Sequence, residues 1–153
     1  MSNNQFKRGE LYSVINGMAT TAVARRLQKN YRQAGLEITI EQWSVLYHLW
    51  KEDGLSQQEL GIRTFRDKAS ITRLIDNLEK LALVTRVASK DDRRINLVYL
   101  TDAAKPLQQI TYELANKTMN EALQNISKEE IEIVKNVLQR VYDNLTNKEL
   151  IDK

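Results

Sequence analysis

Residues 55 to 101 set four pieces in an order that few folds accommodate. "LSQQELGIRT" places Ser56 three residues before Glu59, a capping box, and its helical pattern lasts about two turns before "TFRD" interrupts it. Asp67 is placed to cap a second helix, in which Ile71, Leu74, Ile75, Leu78 and Leu81 recur as one apolar stripe. "VTRVA" and "INLVYL" then read as strands on either side of the polar stretch "SKDDRR". A short helix, a tight connection and a longer helix form a helix-turn-helix pattern, and the strand-loop-strand directly after it makes the pattern winged.

The hairpin tip is longer than the sheet needs. A tight turn would use Asn-Gly or Gly-Gly, whereas residues 89 to 94 put Asp91, Asp92, Arg93 and Arg94 in a row. A charged hairpin beside a groove-bound helix can reach the neighbouring minor groove, where the potential is most negative, and that assigns the role to Arg94. A flexible Arg on a long tip needs holding, and Asp92, two residues earlier, is placed to grip its guanidinium while leaving part of the fork free. Arg93 and Lys90 add attraction for phosphate. The alternative is a solvated loop whose opposite charges merely pair with one another.

The helix from Lys68 to about Leu81 has two faces that differ in kind. At 100° per residue Ala69, Thr72, Arg73, Asp76 and Lys80 fall opposite the apolar stripe, with small residues crowding the leading end. A helix entering the major groove needs short side chains there for close approach, and a donor such as Arg73 behind them for guanine. Ser70 and the first-turn amides suit phosphate, although Asp67 competes for those donors. The expected DNA-contacting set is therefore Lys68, Ala69, Ser70, Thr72, Arg73 and Asp76 on the helix with Lys90, Asp92, Arg93 and Arg94 on the wing. An ordinary amphipathic surface helix remains the alternative.

The flanking segments are helical and over-supplied with apolar surface. From about Glu10 to Tyr31, Leu11, Val14, Ile15, Met18 and Ala22 recur at helical spacing while Val23 and Leu27 begin a second stripe. "AGLEIT" supplies a Gly stop, and Thr39 with Gln42 caps a helix carrying Trp43, Leu46, Tyr47 and Trp50 as its expected buried stripe. Pro106 sits near the end of a first turn opened by Thr101 and Asp102, so that helix is expected to begin late or kink, and then to continue through Leu107, Ile110, Leu114 and Met119. Ser127 and Glu130 open a last helix striped by Ile131, Val134, Val137, Leu138, Val141 and Leu145. One lobe cannot bury all of this. A second copy is the expected cover, with Leu11, Val14, Ile15, Val134, Val137, Leu138 and Val141 in the interface.

The expected architecture is mainly α: a winged helix-turn-helix lobe over residues 36 to 101 with a small two-stranded wing, and a helical dimerisation lobe made by residues 1 to 35 together with 102 to 153. Net charge is only +3, but its distribution is uneven. Residues 1 to 35 carry six Lys/Arg against one Glu, and residues 61 to 94 carry nine Lys/Arg against five Asp/Glu, so a basic face is plausible.

Enzyme signatures are absent. The sequence holds no Gly-rich phosphate loop, no G-x-S-x-G element, no Cys and only one histidine, His48, which lies nearly opposite the Trp43 to Trp50 stripe. No catalysis, metal or cofactor is expected. No apolar run approaches membrane-spanning length, and the start "MSNNQFKRGE" lacks the apolar core of a signal peptide, so a cytoplasmic protein without membrane contact is expected.

Nearly the whole chain resembles the MarR (multiple antibiotic resistance regulator) family of bacterial winged-helix transcription factors. "TIEQWSVLYHLW" is similar to that family's second helix, "LSQQELGIRTFRDKASITRLIDNLEKLALVTR" to its helix-turn-helix and "DDRRINLVYLT" to its wing. The most specific match is Asp92-x-Arg94 followed by Leu97, Leu100 and Thr101. Two departures are Ala104 and Pro106 where many members have a Gly, and "SKD" in place of the commoner Asp-Pro-Arg. The resemblance implies a homodimer joined through its terminal helices that binds a palindromic double-stranded DNA operator, as a repressor. It also implies release by a small aromatic or phenolic ligand bound between the two lobes. Met18, Trp43 and Tyr47 are the residues expected to meet it, although aromatics at helical spacing are more often core. The rival reading is a helical protein-interaction module whose winged lobe binds a protein.

Overall fold

The computed structural model describes Ser13 and residues 17 to 149, with side chains as far as residue 146. Six helices and three short strands follow one another among these residues: α1 (Met18–Gln33), α2 (Ile40–Lys51), β1 (Leu55–Ser56), α3 (Gln57–Arg63), α4 (Lys68–Lys80), β2 (Val84–Ala88), β3 (Asn96–Leu100), α5 (Leu107–Ala122) and α6 (Lys128–Glu149). They divide into two compact units, one of residues 24 to 118 and the other of the described residues before 24 and after 118. These boundaries differ from the expected 35/36 and 101/102. Leu27 and Tyr31 of α1 and Ala104 before α5 are buried in the core of the first unit, and Leu107, Leu114 and Ala115 pack against it. The expected helix start near Glu10, and Leu11, Val14 and Ile15, lie outside the described residues.

Local chemistry fixes the helix ends. Thr39 Oγ1 accepts from Gln42 N at 3.1 Å while Gln42 Oε1 accepts from Thr39 N at 2.8 Å, and Ser56 and Glu59 close the same reciprocal pair at 3.2 and 2.8 Å. Gln42 is buried in that cap. The core face of α2 is Val45, Leu46 and Leu49, with Trp43 and Trp50 half-buried on its flank, so the expected Trp43, Leu46, Tyr47, Trp50 stripe is rotated. α3 stops at Thr64, and Phe65 takes φ 54° to turn the chain. Gly61 lets that turn close: a Cβ there would meet Arg66 O at 3.2 Å.

Asp67 caps α4, and Ile71, Ile75 and Leu78 are buried on its inner face. Leu81 corrects the expected stripe. It is the C-cap, 38% exposed, and after Ala82 turns left-handed at φ 54° the buried residue is Leu83, whose N–H returns to Leu78 O at 3.0 Å. The sheet also differs from the expected two strands. β1 adds to the hairpin in the order β1-β3-β2, all antiparallel, with Leu55 opposite Val98 and Ser56 opposite Leu97. The hairpin pairs Val84 with Leu100 and Ala88 with Asn96. Gly54, at φ 76°, leads into β1, and a Cβ there would strike the Tyr99 ring at 2.6 Å.

α5 starts at Leu107, immediately after Pro106, because turns occupy residues 102 to 106. Its buried positions are Thr111 and Thr118, while Met119 of the expected stripe is exposed. Thr111 donates to Gln108 O at 3.0 Å and Thr118 to Leu114 O at 2.8 Å, so each hydroxyl is satisfied within its own helix. Thr118 also accepts from Asn30 Nδ2 of α1 at 2.8 Å. Ser127 and Glu130 form the expected capping box of α6. Beyond it Ile133, Val134, Val137, Leu138, Tyr142 and Leu145 are exposed in the single chain.

Candidate nucleic-acid interface

The outward side of α4 splits into two rows. Ala69, Arg73 and Lys80 form the outermost row and are exposed, whereas Thr72, Asp76 and Glu79 lie one row nearer the sheet and are half-buried. An open depression is lined by Lys68, Ala69, Thr72, Arg73 and Asp76, which brings five of the expected contact residues to one surface. Short side chains at its leading end leave room for another backbone, and Arg73 stands beyond them.

The sixth expected helix residue, Ser70, is engaged by the cap. Its N–H and hydroxyl both donate to Asp67, at 2.8 and 2.7 Å, and the backbone bond first and the hydroxyl second hold the Asp67 carboxyl below the usual range. Thr72 donates to Lys68 O at 2.7 Å and accepts from Gln57 Nε2 of α3. Asp76 pairs with Arg86 of β2 at 2.8 Å. Sequence reading placed Thr72 and Asp76 on the outer face by angle. It missed Arg86 and Gln57, which draw them inward, since neither stands out by spacing.

At the wing tip Asp92 grips Arg94 with both oxygens. Arg94 Nε donates to Oδ1 and Nη2 to Oδ2, each at 3.1 Å, and the Arg94 N–H adds a third bond to Oδ1 at 3.0 Å. The guanidinium bonds first, and the backbone bond second, lower the Asp92 pKa. Arg94 is nevertheless 91% exposed along its side chain. The tip is ordered by its own backbone as well: Ser89 N donates to Ile95 O and Ile95 N to Asp92 O, at 2.8 and 2.9 Å, while Ser89 Oγ accepts from Asp91 N at 3.3 Å. Lys90 and Arg93 are exposed beside it.

The residues expected to meet a ligand divide between the two units. Trp43 and Tyr47 sit together with ring centroids 5.4 Å apart, and Tyr112 of α5 joins them at 5.9 Å from Tyr47 and 6.2 Å from Trp50. Lys51 Nζ lies 4.2 Å over the Tyr47 ring. Trp43 Nε1 is buried with no hydrogen-bond partner among the described residues, whereas Trp50 Nε1 reaches Ala104 O at 3.2 Å. Met18 is exposed at the start of α1 in the other unit. His48 stands edge-on to Tyr47 at 5.3 Å, and burial first, then Arg63 and Lys51, push its pKa down. Among the described residues no cluster of His, Cys, Asp or Glu is arranged to hold a metal, and no helix is long and apolar enough to cross a membrane.

Short helix, turn, two-faced helix and forked hairpin define a winged helix-turn-helix protein. Residues 38–95 match the family model described as MarR family. The chain is 37% identical over 92 residues, 59% of its length, to the HTH-type transcriptional regulator TtmR of Methylorubrum extorquens. It is 34% identical over 108 residues, 71% of its length, to the uncharacterized HTH-type transcriptional regulator YdgJ of Bacillus subtilis. These matches span 47% and 64% of the two relatives. In fold, a mutant MarR from E. coli complexed with operator DNA superposes with a TM-score of 0.80 at 22% identity, covering 90% of this chain and 98% of that one. Over residues 38–95 the chain is thus similar to the MarR family, and it has that family's winged-helix fold.

Proposed function

We propose that the protein is a cytoplasmic homodimeric repressor that binds a palindromic DNA operator, with α4 in the major groove and the wing tip in the adjacent minor groove. The observation that carries this is the Asp92–Arg94 fork: an exposed tip bears a guanidinium held in one orientation with donors left over, which suits a narrow anionic groove and serves no packing purpose. Lys68, Ala69 and Arg73 are the base- and backbone-facing residues of α4, with Ser70, Thr72 and Asp76 bordering them. Lys90 and Arg93 add phosphate attraction. Dimerisation is supported by the apolar surface that Val134, Val137 and Leu138 leave uncovered in one chain.

We infer further that a small aromatic or phenolic effector acts at Trp43 and Tyr47. Their adjacent rings offer stacking, and the unpartnered Trp43 indole N–H is a buried donor that a phenolic oxygen would satisfy. Electrophoretic shift of random duplex DNA at two salt concentrations tests the central claim. A regulator binds with affinity falling steeply as salt rises; a protein-interaction module hardly binds at either.

A further inference from the structure

Arg86 does more than its place on a wing strand requires. Its guanidinium bonds Asp76 at 2.8 Å and also Glu79, both on α4, and its Nη2 lies 3.5 Å from Gln57 Oε1. Its own N–H donates to Glu79 Oε1 at 3.1 Å. Gln57 Nε2 in turn donates to Thr72 Oγ1. One side chain, only 18% exposed, thereby ties the first turn of α3, three positions of α4 and the strand that carries the wing. Thr72, Asp76 and Glu79 are the inner of the two outward rows of α4, so the network grips one side of that helix along two turns.

Two consequences follow from the chemistry. A grip along one side fixes rotation of α4 about its own axis, and rotation decides which side chains meet base edges; a 1 Å error there disrupts a bidentate contact. The network also occupies the Thr72 hydroxyl and the Asp76 carboxylate, leaving Ala69 and Arg73 as the outermost reading row. Two carboxylates facing one guanidinium leave a local charge of −1, so the arrangement is poorly suited to attract phosphate. We propose that Arg86 is a positioning residue for sequence readout, which sets the rotation of α4 against the wing and removes Thr72 and Asp76 from base contact.

This rests on the DNA-binding reading, and charge and orientation predict different outcomes. Asp76→Asn keeps the shape, removes a negative charge near the interface and breaks the ion pair to Arg86. Bulk electrostatics makes it bind all duplexes more tightly. The positioning role instead lowers the ratio of affinities for the selected operator and a random duplex by about fivefold or more, the lower end of what one base contact discriminates. Arg86→Lys lowers the ratio similarly, because one ammonium cannot hold three acceptors in a plane, while the slope of log affinity against log salt stays at the wild-type value. Should Arg86→Lys fail to fold, Gln57→Leu, which cuts only the Thr72 branch, gives the same test at smaller amplitude. An unchanged ratio in folded variants overturns the proposal, and so does a shallower salt slope for Arg86→Lys, which would make Arg86 a phosphate contact. If the wild-type protein binds no duplex at all, the DNA-binding reading fails and this one with it.

Discussion

α4 and α6 both face outward, and they do so with opposite chemistry. On α4 the large apolar residues Ile71, Ile75 and Leu78 are buried, and the outward side is polar, with half of it tied down by ion pairs and hydrogen bonds to α3 and β2. On α6 the apolar residues are the outward side: Val137 is 48% and Leu145 68% exposed, with no buried residue along the described part of the helix. Water tolerates the first surface and penalises the second by roughly 25 cal/mol per Å² of apolar area left uncovered. A face that is finished in the single chain suits a polar partner met reversibly, and an unfinished one suits a permanent apolar partner.

The largest effect should come from spoiling the unfinished face. Val137→Asp or Val141→Asp sets an unpaired charge into the interface, on the order of several kcal/mol against association. Light scattering should report monomer, and operator binding should be lost with the dimer. A variant that stays dimeric and still binds DNA moves the interface elsewhere on the chain.

On the finished surface, Arg94→Ala should weaken operator binding on the order of thirtyfold with unchanged melting, as for truncating a charged group in an interface. Arg94→Lys should restore it only partly, because a point charge lacks the fork. Asp92→Ala is the sharper variant. It makes the tip more positive yet should weaken binding, since the guanidinium loses both oxygens that orient it. Tighter binding by Asp92→Ala at moderate salt would reduce the wing to a basic patch. Arg73→Ala should cost about 1 to 3 kcal/mol on the selected operator and much less on random DNA, whereas Ser70→Ala should weaken both more evenly. A uniform loss for Arg73→Ala would make it a phosphate contact.

The same contrast separates what sequence could tell from what it could not. Caps and stripes are local, so the Ser56–Glu59 and Ser127–Glu130 boxes, the Asp67 cap and the inner face of α4 were legible, as was a carboxylate two residues from an arginine. Features that depend on a distant neighbour were not. β1 has two residues and no period, and Ser56 reads as a cap whether or not its backbone also pairs with Leu97. Leu81 and Leu83 exchanged roles because the left-handed turn at Ala82 falls between them without a glycine to announce it. Thr111 and Thr118 are buried through bonds to their own helix, which apolar periodicity cannot register. Arg86 is one charge among many in the sequence, and only its contacts to Asp76 and Glu79 distinguish it.

Titration offers the smallest separation of the two faces. His48 is the only histidine, and it lies in the unit that carries α4, while α6 carries none. Burial, with Arg63 and Lys51, lowers its folded pKa below the ordinary imidazole value. An unfolded chain therefore binds a proton at about pH 6.5 that the folded chain does not yet take, so stability is present above that pH and falls as pH drops from there through the folded pKa. Thermal melting at about pH 7.5 and about pH 5 should give a larger drop for wild type than for His48→Gln, whose side chain cannot take the proton. The drop in dimer dissociation between the same two conditions should not differ between the proteins. Equal melting shifts would mean that solvent reaches His48 well enough to protonate it in the folded state, and that the environment of Tyr47 and Arg63 is looser than its packing implies.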